Sequence, residues 1–251
     1  MSTPPPKVID TTAALTQVLE DLTNLPNLPS DPPSLYIDLE GINLSRHGSI
    51  SIMQIYVLPL NEIYLIDIHV LGQTAFTTTS ATGTTLKSIL ESSTTQKAFF
   101  DVRNDSDALY SQFGVYLSGI QDIQLLELAT RSFSRRCING LAKAIERDGG
   151  LTLTEAIEWN RVKENGRKLF APERGGSYEV FNARPLSEKI IRYCAQDVRI
   201  LPMLWRTYSA KLRPTWKERV KSATKERIDV CFQAGYTGVG RHMALAPAGW
   251  A

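Results

Sequence analysis

Residues 35–40 read Leu35-Tyr36-Ile37-Asp38-Leu39-Glu40, with Leu35, Ile37 and Leu39 alternating with Tyr36, Asp38 and Glu40. A period of two predicts a β-strand with one apolar face. It also points Asp38 and Glu40 the same way, roughly 7 Å apart at about 3.3 Å per residue. Two carboxylates that close repel each other, so one of them takes up a proton or a cation sits between them. Working outward, Ile190, Ile191, Cys194, Val198 and Leu201 form the apolar stripe of a helix on which Tyr193 and Asp197, four residues apart, share a face. A further helical run has Ala108, Leu109 and Phe113 as its apolar face and Asn104 or Asp105 near its start. Each fragment alone is common by chance. Together, in this order and each within the local structure it needs, they describe carboxylates converging from a strand and two helices, which is a cage for two divalent cations of the kind that cuts phosphodiester bonds.

The same residues carry a resemblance. The chain resembles the DEDDy branch of the 3′ to 5′ exonucleases, the group of RNase D and polymerase proofreading domains, from about Lys7 to about Tyr208. Asp38-Leu39-Glu40 is similar to the first motif, and GSISIMQIYV (48–57) to the strand that follows it. KAFFDVRNDSDALYSQFGV (97–115) resembles the second motif, where the functional aspartate stands four residues before a leucine; that singles out Asp105 with Leu109 over the neighbouring Asp101 and Asp107. YCAQDVRILPML (193–204) matches the third motif, Tyr-x-x-x-Asp.

The resemblance implies an α/β, RNase H-like mixed sheet of five to six strands flanked by helices. It implies a metal-dependent exonuclease that releases nucleoside 5′-monophosphates from the 3′ end of single-stranded RNA, or less readily DNA. Catalytic roles would fall to Asp38, Glu40, Asp105, Tyr193 and Asp197. Asp38, Glu40 and Asp197 would hold one Mg²⁺ or Mn²⁺, and Asp38 helped by Asp105 a second, about 4 Å away. Oxygen ligands favour these ions over zinc. With an unperturbed pKa of about 10, the Tyr193 phenol is a poor base at neutral pH, so its expected task is to orient the attacking water. Some relatives of RNase D keep the fold and lose the carboxylates, which makes a silent nucleic-acid-binding or scaffold protein the alternative; nothing in a pure binding module requires all five residues.

Length and composition are consistent with this reading. The 251 residues suffice for one well-buried α/β domain with additions, and a 43% hydrophobic content is ordinary for a globular protein. No apolar run approaches the roughly 20 residues that span a bilayer, and MSTPPPKVID shows neither an apolar signal core nor an Arg-rich amphipathic pattern. Cys137, Cys194 and Cys231 are scattered and odd in number, which argues against a disulfide framework or zinc knuckle and for a reducing compartment, cytoplasm or nucleus. The expected division is a disordered 1–6, an exonuclease domain over 7–212, and a basic helix and tail over 213–251.

Net charge is only +2, so any nucleic-acid contact must be local. Basic residues cluster from Arg206 to Arg227 and at Arg131, Arg135 and Arg136, either as solvated faces or as a phosphate track. Arg46, beside His47 after the first motif, is a candidate phosphate contact; His47 itself reads as an exposed loop residue. Residues 164–185, ENGRKLFAPERGGSYEVFNARP, read as a long loop. Its Arg167, Lys168, Arg174 and Arg184, interleaved with Phe170, Tyr178 and Phe181, suit single-stranded nucleic acid, though an ordinary connection reads the same way. Trp159, Trp205 and Trp216 read as packing residues. Strands are expected at Val8-Ile9, 50–57, 62–68, 98–100 and 119–123. Helices are expected over 11–22, up to about Glu91, from Asp105, over 139–147, 154–162 and 187–199, and from Pro202, which should kink or restart the chain. The stretch 74–85 reads as a loop, and 233–251 as a disordered tail or a strap across the domain.

Overall fold

The computed structural model describes residues 5–25 and 31–251. Residues 1–4 of the stretch 1–6 expected to be disordered lie outside the described residues, as do 26–30. Six strands form one mixed sheet: β1 (Lys7–Ile9), β2 (Leu35–Glu40), β3 (Ile52–Val57), β4 (Glu62–Asp67), β5 (Lys97–Phe99) and β6 (Ile120–Asp122), in the spatial order β1-β4-β3-β2-β5-β6. β2, β3 and β4 form an antiparallel meander, whereas β1 joins β4, and β5 and β6 extend the other edge, in parallel. Parallel pairing requires crossovers, and helices supply them.

Among the described residues, ten α-helices surround the sheet: α1 (Thr12–Thr23), α2 (Ile68–Leu71), α3 (Thr74–Thr77), α4 (Leu86–Glu91), α5 (Arg103–Phe113), α6 (Ile123–Thr130), α7 (Leu141–Asp148), α8 (Leu153–Phe170), α9 (Glu188–Lys211) and α10 (Pro214–Val230). Their starts are chemically marked. Thr11 caps α1, Asp122 accepts from two amides of α6, and Thr152 with Glu155 forms a capping box on α8. At its other end α5 stops on Gly114, whose φ of +62° suits glycine. Among the described residues no helix is long and apolar enough to cross a membrane.

The sheet is covered on both faces, so β2 is buried on both sides and not only on its apolar one. Leu35, Ile37 and Leu39 enter one core with α1, α4 and α5. Tyr36 enters the other, with residues of α6, α7 and α9. Asp38 and Glu40 share the Tyr36 face by the period of two, so the fold sets both carboxylates beneath α9.

Four sequence expectations need correction. α6 occupies residues for which no helix was expected. α8 continues eight residues past Val162 to Phe170, so Arg167 and Lys168 belong to a helix and not to a loop. α9 runs unbroken through Pro202, which is buried. The segment 74–85 contains α3 and a bridge between Thr79 and Thr85.

The C-terminal segment is a strap. Arg103 donates to Met243 O, Ile138 N to Ala244 O, Ala246 N to Arg136 O, and Arg219 to Gly249 O. Trp250 ends it, buried edge-on against Trp216 with their rings 4.9 Å apart.

Candidate active site

β2 and α9 bring three of the expected acidic residues together, and Asp105 on α5 is not among them. One oxygen from each of Asp38, Glu40 and Asp197 lies within 4.8 Å of the other two. Asp197 is buried, and its Oδ1 has no hydrogen-bond partner in the protein. A buried carboxylate oxygen left open toward two other carboxylates suits a hard cation, which is the fit these oxygen donors require of Mg²⁺ or Mn²⁺. A cleft of about 290 Å³ opens beside them, lined among others by Asp38, Phe100, Asp101, Lys163 and Asp197.

Electrostatics report the same crowding. Burial, reinforced by the Asp197 charge, raises Asp38 to about 7. Burial and then Asp38 push Glu40 well above the usual carboxylate range. Asp105 is raised too, by burial first and then by Asp38. Among the described residues Asp105 has no arginine or lysine partner and feels the Asp38 and Glu40 charges, but it does not join the three carboxylates that meet, and Asp101, not Asp105, lines the cleft. Asp101 is held in the left-handed region at φ +67° and takes a bidentate bond from Arg103, both contacts 2.6 Å. Asp107 accepts from the Arg46 backbone at 2.7 Å and from its Nε at 2.8 Å.

A carboxyl whose folded pKa lies above its unfolded value keeps its proton in the fold after the unfolded chain has released it, so the metal-free fold loses stability as pH rises from about 4 through 7. In EDTA, the melting temperature of Asp38→Asn minus that of the wild type should grow by several degrees between pH 5 and pH 8. A difference that stays flat over this interval would contradict the crowding.

Tyr193 stands on α9 one turn before Asp197, and its seat is built by α8. Burial, then the Glu40 charge, raises its phenol far above the ordinary value, so it stays protonated. A Cβ added at Gly166 would lie 2.4 Å from Cδ2 of its ring, so only glycine lets α8 approach this closely. Phe170 lies 5.0 Å and Phe181 6.5 Å from the Tyr193 ring, and Tyr178 stacks on Phe170. The aromatics of residues 164–185 thus pack around the tyrosine and each other.

α8 also delivers a residue that no sequence signal marked. Lys163 Nζ donates to Asp197 Oδ2 at 2.5 Å and to the Tyr193 hydroxyl at 3.3 Å. Burial disfavours its charge, but Asp197, Glu40 and Asp38 outweigh that and hold the ammonium above its ordinary pKa. Trp159, Lys163, Gly166 and Phe170 recur at helical spacing, which could have hinted at one buried stripe had the helix been expected to reach that far.

The basic residues are mostly engaged elsewhere. Arg46 bonds Asp107 and donates to the carbonyls of Cys231, Gln233 and Ala234, which spends its guanidinium on the fold. Arg184 pairs with fully buried Asp67. Arg131 pairs with buried Glu127, and Arg227 with Asp122. Arg167 lies 3.6 Å from Glu164, which also pairs with Arg174, while Lys168 is exposed. His47 is exposed, as expected.

The family described as 3′-5′ exonuclease matches residues 6–213. The chain belongs to the 3′-5′ exonuclease domain family. It shares the RNase D fold: Trypanosoma brucei RNase D, solved in complex with RNA U12, superposes with a TM-score of 0.73 at 22% identity, over 98% of this chain and 77% of that one. Escherichia coli RNase D gives 0.63 at 19% identity, over 92% and 51%. Among curated proteins, this exonuclease-family chain is 32% identical over 200 residues to the mouse piRNA biogenesis protein EXD1, covering 78% of the chain but 31% of EXD1. The chain thus spans about a third of that relative's length.

Proposed function

We propose that the chain hydrolyses phosphodiester bonds at the 3′ end of single-stranded nucleic acid, RNA in preference to DNA, and releases nucleoside 5′-monophosphates. The observation that carries this reading is the convergence of Asp38, Glu40 and Asp197 within 4.8 Å, with the Tyr193 hydroxyl beside them. Asp38, Glu40 and Asp197 would hold one Mg²⁺ or Mn²⁺, and Asp38 with Asp105 a second. Ions bound there supply an activated water and neutralise charge on the attacking and leaving oxygens. Asp38 would serve both positions. Tyr193, kept protonated, cannot act as the base; its hydroxyl orients the attacking water by a hydrogen bond. The packing of Phe170, Phe181 and Gly166 around its ring fixes that orientation. RNA is preferred here on the strength of the RNase D likeness. Arg167, Lys168 and Arg174, at the end of α8 and just beyond, would contact phosphate; Arg46, whose donors are engaged by Asp107 and three carbonyls, would not.

The test is incubation with end-labelled RNA and DNA oligonucleotides in Mg²⁺, Mn²⁺ or EDTA. Stepwise shortening from the 3′ end is expected with either ion and not with EDTA. Binding without shortening of either substrate would support a silent RNase D-like scaffold instead. Tyr193→Phe should slow shortening by about two orders of magnitude with metal affinity nearly unchanged, as expected for a group that orients a reactant. Unchanged turnover would remove the phenol from the reaction.

A further inference from the structure

Asp38, Glu40 and Asp197 meet within 4.8 Å, and one side-chain ammonium is bonded to Asp197 and acts on Asp38 and Glu40 as well. That cation is Lys163. Its seat is built and not incidental. The ammonium lies 4.5 Å from the Tyr193 ring centroid and 5.8 Å from that of Trp159, one helical turn earlier on α8. Its side chain is 18% exposed, and Gly166, one turn later, brings α8 close enough for the reach.

A divalent ion liganded by Asp197 would stand about 2 Å from a carboxylate oxygen. An ammonium hydrogen-bonded to the same group would then face it across a few ångströms of low-dielectric interior, where like charges repel strongly. Asp197 cannot serve both at full strength.

We propose that Lys163 is the resident counter-ion of this cage: it holds Asp197 and Tyr193 in position when no divalent ion is bound, and a divalent ion must displace it from Asp197 to load the site. Resting on the nuclease reading above, this makes Lys163 a positioning residue that sets the divalent-ion concentration at which the site becomes competent. The exchange is of one bound cation for another, with the cage never left as bare carboxylates.

The experiment is a Mn²⁺ titration of the full chain at fixed pH without nucleic acid, with free Mn²⁺ followed by its paramagnetic resonance signal. Lys163→Met, which keeps the aliphatic stem and removes the charge, should bind Mn²⁺ at least about tenfold more tightly than the wild type. In EDTA it should melt at lower temperature, and saturating Mn²⁺ should close that gap. Lys163→Gln, a neutral donor toward Asp197, should also tighten Mn²⁺ binding and serves if the Met variant does not fold in EDTA. Equal or weaker Mn²⁺ affinity in folded variants would overturn the proposal and leave the nuclease reading standing. Failure of wild type and variants alike to bind Mn²⁺ would overturn both.

Discussion

Asp38→Asn is expected to abolish shortening of end-labelled RNA, by about three orders of magnitude or more, while making the metal-free protein more heat-stable at pH 7. The two effects have one cause. Asp38 would be shared by both ions, so replacing its charge by an amide removes several kcal/mol of the charge stabilisation they supply. Without an ion, the same carboxylate is a buried charge crowded by Asp197 and raised to about 7, and the isosteric amide relieves that repulsion. A variant that merely damaged the fold would lose activity and melt earlier, so the opposite movement of the two readouts separates site from scaffold. Activity within tenfold of the wild type would end the two-metal assignment.

Gly166→Ala is the second large effect expected, and propensity alone would give it the wrong sign. In an open helix the change stabilises by about 1 kcal/mol. Here the new methyl would meet Tyr193 at 2.4 Å from Cδ2 and 2.7 Å from Cγ, and the ring is wedged against Phe170 and Phe181, so it cannot simply swing aside. Tyr193 or all of α8 must shift, by about an ångström. Displacement on that scale costs a positioned reaction about two orders of magnitude in rate. The check is a double-mutant cycle on cleavage: in a Tyr193→Ala background, where the ring is gone, Gly166→Ala should cost almost nothing more. Full activity in the single variant would mean that the seat of Tyr193 does not matter to the chemistry.

What could be read from the sequence follows the range over which the signal acts. β2 and the motif face of α9 were legible because alternation and four-residue spacing are local, and the sheet's six strands fall where apolar runs predicted them. α6 was not legible because every residue from Ile123 to Ala129 is buried, Gln124 and Glu127 included, so the run has no polar face to betray a period. α8 was cut short because Gly166 and the glycines beyond it look like loop chemistry, and the reason for the first, the Tyr193 ring, lies 27 positions away in sequence (193 minus 166). Lys163 escaped for the same reason. Arg46 looked like a phosphate ligand because its partners, Asp107 and the end of α10, come from 61 and 185 residues further on. Local pattern therefore identified the carboxylates but not the groups that neutralise or seat them. Asp105 was separable from Asp101 and Asp107 by a motif resemblance; in the fold the separation is physical, since each of the other two has an arginine.

Arg46 also bears on the order of events during synthesis. The loop that leaves the catalytic strand is fastened by its guanidinium to the carbonyls of Cys231, Gln233 and Ala234, and Asp122, which caps α6 and bonds the amide of Asp101, is neutralised by Arg227 from 105 residues later. A chain emerging from the ribosome presents Asp38 and Glu40 well before the groups that lock their surroundings. Until α10 has emerged, the nascent sheet has its acidic residues but not the ties that immobilise them, and long-range closure of this kind is slow. Completion of the carboxylate site is thus expected late in folding, once α10 docks.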